Sequence, residues 1–293
     1  MVDKGSVRGS VKGLDTGSDK GSVESRAGVK QARTETPQKQ GWRVALSILM
    51  MLAWVAVSVV ASQVVVGYLI LWIVGAETFQ TPVVTTVYSA LSYILAMVLV
   101  ILVPRRVPAK NKNATKDQGA NTSSSMRDLL GLRGWPTWTD IGLAPVGFVV
   151  QLILAALLVG LFGMLFPWFD VEQAQDVGYN VLNGGVDRIV AFLALVVIAP
   201  IAEEIIFRGW LYGKIRRKLS ERMSNVAGMI LAIFLVSLLF GVIHMQWNVG
   251  VNVFAVSVVL CALREITGTI YAGMLVHMLK NGVAFYLLYV AGV

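Results

Sequence analysis

Beyond residue 43 the chain is a succession of apolar runs separated by short polar segments. A helix needs ~20 apolar residues to cross the hydrocarbon core of a membrane. Seven runs approach or exceed that length: 44–74, 83–103, 141–166, 187–212, 225–245, 249–263 and 268–291. The first is long enough to tilt or to project into the headgroups, and the sixth is short. The predicted fold class is all-α, a polytopic transmembrane helix bundle of about seven spans. Trp42, Trp72, Trp135, Trp138, Trp168, Trp210 and Trp247 stand near proposed span ends, as an interfacial aromatic belt requires. Trp54 is the exception.

Composition strengthens this reading. The hydrophobic fraction is 56% and mean hydropathy is +0.69, although the first 43 residues are polar. The remainder is more apolar than a soluble core needs. The formal charge of +8 falls on alternate loops, so it signals topology and no nucleic-acid partner. Nine Lys/Arg precede the first span, seven lie between the second and third, and five follow the fourth; 75–82, 167–186 and 246–248 hold none. The positive-inside rule then puts the N-terminus in the cytoplasm and a short C-terminus outside. The single cysteine, Cys261, lies in an apolar run, so no disulfide framework is expected.

Three segments follow from this. Residues 1–43 carry Gly-Ser-Val three times and have no signal-peptide pattern. They read as a disordered basic cytoplasmic tail whose charges fix topology, with contact to anionic lipid as the alternative. Residues 44–140 hold two N-terminal transmembrane helices and a cytoplasmic linker, with a short interfacial helix around Arg127-Asp128-Leu129-Leu130. Residues 141–293 form the membrane-embedded core, with its motifs in 185–293.

Ionisable groups inside membrane-length segments are expensive and mark functional sites by default. Both histidines of the chain, His244 and His277, sit in such segments, and a third segment carries Glu203, Glu204 and Arg208. Residues four apart share a helix face, so Glu204 and Arg208 can form an ion pair. Glu203 points about 100° away and is the freer carboxylate. A carboxylate held in low dielectric is a stronger base than one in water, which makes Glu203 the candidate base. His277 and Asn281 share a face and suit polarisation of a substrate carbonyl. His244 can accept a proton, orient the attacking water or bind a metal. Phe240, one turn earlier, walls a pocket or simply packs.

Each motif alone has a plain alternative: a Glu-Glu-x-x-x-Arg at a helix end is commonly interfacial, and a lone His is commonly hydrogen-bonded to a neighbouring helix. Their conjunction in the last four spans points to an intramembrane hydrolase. No cofactor is firmly expected. If a divalent metal such as zinc binds, Glu203, His244 and His277 are the ligands, although no His-Glu-x-x-His is present and a metal-free site fits equally.

Glu203-Glu204-x-x-x-Arg208, Phe240-x-x-x-His244 and His277-x-x-x-Asn281, in that order on successive apolar helices, resemble the three motifs of the CPBP family of intramembrane proteases. That family contains CAAX endopeptidases and bacterial, Abi-like relatives tied to bacteriocin processing or self-immunity. The flanks FRGWLYGKIRRKL and LREITGTIYAGMLVH are also similar, and the resemblance covers roughly 185–293. It implies a protease in which Glu203 and His244 activate water, His277 and Asn281 stabilise the oxyanion, and Glu204 and Arg208 shape the site. "Metalloprotease" is a frequent label in the family, and a glutamate mechanism without metal has also been argued for it. Expected partners are the lipid bilayer and a peptide or lipidated-protein substrate. The expected location is multi-pass in a membrane, a bacterial cell membrane by likeness to the bacterial members.

Two rivals stand beside this. A non-catalytic immunity or scaffold membrane protein has the same signature, and a proton-coupled transporter would use similar groups but predicts inverted repeats, which are not seen. Lys280, between His277 and Asn281, would weaken Glu203 as a base if the two paired. Depth poses a further question. At ~1.5 Å per residue Glu203 lies ~20 Å above Arg216 and His277 ~15 Å above Thr267, but His244 lies ~28 Å above Asn225.

Overall fold

A computed structural model of the chain describes residues 37–105, 126–172, 182 and 184–292. The predicted tail over 1–36 and the linker over 106–125 lie outside these residues. Seven helices are long and apolar enough to cross a membrane, and no strand occurs among the described residues. They are α1 (Pro37–Phe79), α2 (Pro82–Leu102), α4 (Trp138–Leu165), α5 (Gly185–Ser220), α6 (Asn225–Val242), α7 (Trp247–Thr267) and α8 (Tyr271–Ala291). The short α3 (Met126–Leu130) is helical where a short helix was expected near 127–130.

Local chemistry sets the ends. Pro82 opens α2, where its missing N–H costs nothing. Thr137 and Asp140 cap α4 reciprocally, each side chain bonding the other's backbone N–H. Gly268 closes α7 at φ +71°, a left-handed cap that glycine adopts without strain. Helix α1 starts at Pro37, so residues 37–43, assigned above to the tail, are helical, and the helix kinks only at Gly75. Trp210, expected in the aromatic belt, is instead 3% exposed in the core, with the Lys214 Nζ 4.5 Å from its ring centroid.

Helices α5 and α7 stand at the centre, each with half of its apolar segment buried. Phe207, Leu211 and Ile215 of α5 pack with Val236 and Phe240 of α6, Val253 and Cys261 of α7 and Val100 of α2. Lipid tails are as apolar as these side chains, so close packing rather than escape from water holds such helices together. Small residues make it possible. A Cβ on Gly241 of α6 would fall 2.7 Å from the Gly250 carbonyl oxygen of α7, and one on Gly250 3.0 Å from the Gly241 oxygen. The two backbones touch there, just before the turn that carries His244.

The depth question eases with the helix lengths. Helix α5 runs to Ser220, eight residues past the predicted end at 212, so Glu203 stands further from the end of its helix than the reference at Arg216 implied. Helix α8 begins higher because α3 and its following turn sit beneath it. Arg264 donates to the Leu129 and Leu130 carbonyls at 2.7 and 2.9 Å, and Ile270 N–H to Gly131 O at 3.1 Å. Tyr212 of α5 donates to Glu265 of α7 at 2.7 Å, fixing the relative height of the two helices. Those polar bonds also explain why α7 extends to Thr267, beyond the predicted 263.

Candidate functional site

Helix α5 is not a regular α-helix. Two π-helical stretches, Leu193–Ile198 and Glu204–Tyr212, interrupt it on either side of Pro200, Ala202 and Glu203. Proline cannot donate the regular backbone bond and its ring crowds the carbonyl four residues back, which a widened turn accommodates. Wide turns free carbonyls and recur at functional sites. The Leu195 carbonyl is freed in this way, and Asn281 Nδ2 donates to it at 2.9 Å.

The Glu204–Arg208 pair forms as its spacing predicts. Arg208 Nη1 donates to Glu204 Oε1 at 2.8 Å, with both side chains fully buried. The same Oε1 lies 3.1 Å from His277 Nδ1. A carboxylate only accepts, so Nδ1 carries the ring proton and the imidazole is held in one orientation. Gly273 of α8 lets the two helices meet at this point, since a Cβ there would lie 3.0 Å from Glu204 Oε2. The Arg208 guanidinium carbon sits 4.3 Å from the Phe240 ring centroid, a cation–π contact. Phe240 stands edge-on to Phe207, His244 and His277 at centroid distances of 4.8, 5.1 and 6.1 Å. It is the hub on which the three motifs pack.

Glu203 has looser company. Its Oε2 lies 3.5 Å from His277 Nε2, beyond ordinary hydrogen-bond range, and the Tyr93 hydroxyl of α2 is directed at it. His244 follows the end of α6 in a turn where Met245 takes φ +55°, a left-handed conformation costing about 1–3 kcal/mol for a non-glycine residue. Its Nδ1 is 2.7 Å from the Phe240 carbonyl oxygen. A carbonyl only accepts, so Nδ1 is the donor and Nε2 keeps its lone pair in the neutral ring. Glu203, His244, His277 and Asn281 all line one cavity of about 340 Å³, with Phe240 in its wall. Lys280 lines it too, and no ion pair within 4.0 Å joins it to Glu203 among the described residues.

Four further polar residues of the wall escaped the sequence reading: Tyr93, Asn248, Asn252 and Tyr289. Asn248 and Asn252 are four apart at the start of an apolar run, the same spacing as the other motifs, and that signal was available. Tyr93 had none beyond being a polar-tipped residue in mid-span.

The residues do not fit a metal centre. Among the described residues no group of three or more His, Cys, Asp or Glu could hold a metal ion. Glu203, His244 and His277, the ligand set considered above, share a cavity without forming such a group. The metalloprotease label is therefore unsupported, and no step below runs through a metal.

Residues 185–283 match the family Type II CAAX prenyl endopeptidase Rce1-like and form a domain of that family. The matched stretch contains all three motifs and ends two residues past Asn281. No curated protein and no solved structure matches the chain.

Proposed function

We propose that this protein is an intramembrane endopeptidase that hydrolyses a peptide bond in a membrane-associated or lipid-modified protein, using a water activated by Glu203. The observation that carries the reading is the convergence of Glu203, His244, His277 and Asn281 on one cavity within a CAAX-endopeptidase-like domain. Seven helices long and apolar enough to cross a membrane support an intramembrane location for that cavity.

Glu203 is the base because it is the carboxylate without an Arg partner. It takes a proton from water as the oxygen adds to the carbonyl carbon. The carbonyl π pair moves onto oxygen, then returns as the C–N bond breaks. Glu203 gives its proton to the departing amine. His244 Nε2, with a free lone pair, accepts a hydrogen bond from the water and aims it. His277 Nε2 faces the same space, its ring oriented by the Nδ1 contact with Glu204, and in its protonated form it donates to the oxyanion. Groups aimed at developing charge typically contribute ~2.7–4 kcal/mol each.

The test is cleavage of a membrane-peptide library by purified protein, wild type against Glu203→Gln, with and without chelator. Cleavage that is lost in the variant and kept under chelation is the expected result. Cleavage by Glu203→Gln at the wild-type rate would overturn the role of Glu203. No cleavage by the wild type, with a related enzyme active on the same library, would favour a non-catalytic binding protein of the same fold.

A further inference from the structure

We infer that Asn248, with Asn252 one turn beyond it on α7, holds the backbone of the substrate, Asn248 donating to the oxygen of the scissile carbonyl. This rests on the peptidase reading and deepens it. Asn248 lines the cavity shared by Glu203, His244 and His277. It is 7% exposed, and its Nδ2 has no hydrogen-bond partner among the described residues. The other donors of the motifs are partly committed: Asn281 Nδ2 to Leu195 O, His277 Nδ1 to Glu204, His244 Nδ1 to Phe240 O. Asn248 Nδ2 has no such commitment among the described residues.

A buried amide without a partner destabilises a fold, so its place in a cavity wall calls for a ligand. No acceptor pins the carboxamide, and the terminal torsion of Asn is broad. A half-turn presents the NH₂ to an arriving carbonyl. The residue stands in the first turn of α7, where no side chain caps the free N–H groups and the helix dipole favours developing negative charge. Asn252 lies ~6 Å further along the same face, and an extended peptide advances ~6.7 Å in two residues. The pair therefore matches alternate peptide groups of an extended chain. Val249, Val253 and Val256 beside them line the same cavity, so the segment it fits is apolar. In the reaction the Asn248 N–H lends a hydrogen bond to the carbonyl oxygen while that oxygen holds the extra electron pair, and transfers no proton.

The test uses two matched probe pools, apolar hexapeptides with a central amide and the same peptides with a central phosphonamidate, whose tetrahedral anion mimics the intermediate. Asn248→Leu should lower kcat about 100–1000-fold with KM within about threefold, because a donor aimed at the oxyanion acts only in the transition state. Phosphonamidate binding should weaken by a similar factor, while binding of the amide pool on the Glu203→Gln background changes less than about fivefold. The Tm should stay or rise, since an unpartnered amide is removed, and Asn248→Ala serves if Leu misfolds. Asn252→Leu should raise KM about tenfold with kcat kept, the signature of lost ground-state binding. Asn248→Leu with wild-type kcat, or with both pools weakened equally, would overturn the inference alone. A wild type that neither cleaves nor prefers the phosphonamidate would overturn the peptidase reading with it.

Discussion

Glu204→Gln separates structural support from chemistry. Glutamine keeps the volume and the Oε1 acceptor that Arg208 and His277 share, so the change removes a charge and little else. It strands the Arg208 guanidinium, whose side chain is fully buried and whose Nε and Nη2 have no hydrogen-bond partner among the described residues. Removing one member of a buried pair costs about 3–5 kcal/mol, against a total stability of about 5–15 kcal/mol. Removing both charges is a different case, because no uncompensated ion remains. Glu204→Gln/Arg208→Met should recover most of that loss, giving a coupling energy of about 3 kcal/mol between the two sites. Equilibrium unfolding in mixed micelles, followed by tryptophan fluorescence, measures the four proteins. Peptide cleavage on the same samples should stay low in the double variant, since His277 has lost the carboxylate that orients its ring. A single variant within about 1 kcal/mol of wild type, or a double variant as damaged as its two parents combined, would refute the reasoning.

Other side chains give sharper local tests. Tyr93→Phe removes the hydroxyl directed at Glu203 and should lower kcat about tenfold or more, the worth of one hydrogen bond to a charged group, with unfolding unchanged. Gly241→Ala drives a Cβ against the Gly250 carbonyl and should cost about 1–3 kcal/mol by overpacking. Cleavage should fall with it because His244 is three residues on. Gly142→Ala, which meets nothing within 4 Å, is the neutral control. Asn281→Ala orphans the Leu195 carbonyl and should cost about 1–3 kcal/mol of stability, alongside activity. Loss of activity with full stability would make its contact with substrate the main role.

Spacing within a helix was readable from the sequence, and relations between helices were not. The i,i+4 rule found Glu204 with Arg208, and apolar run length found all seven spans. Neither rule says which faces meet. His277 engaging Glu204, rather than Glu203 alone, depends on α8 approaching α5 at Gly273, and a glycine in an apolar run carries no such signal by itself. The height of Glu203 was underestimated because the basic Arg216 was taken as its reference level. In α5 the basic turn Gly213–Ser220 simply continues the helix, with Arg216 bonded to Glu265 at 3.0 Å. Trp210 misled for a related reason: a tryptophan beside a basic turn is a belt residue only if its face looks outward. The π-helical stretches of α5 were likewise hidden, although Pro200 marked the place.

The family-matched stretch begins at residue 185, yet the cavity does not close within it. Tyr93 of α2 forms part of the wall beside Glu203, and α2 packs along the π-helical part of α5 through Ala96 and Val100. Without α2, the cavity beside Glu203 would lose the wall that Tyr93 supplies. The first two spans are then part of the chemistry rather than an appendage to it. A chain divided between residues 110 and 111 tests this. Residues 111–293 expressed alone should cleave nothing, and co-expression with residues 1–110 should restore cleavage, because α1 and α2 dock through packing that needs no covalent link. Restoration should fail when the added fragment carries Tyr93→Phe, to the same degree as in the intact variant. Full cleavage by residues 111–293 alone would show that the site is complete without α2, and would remove Tyr93 from it.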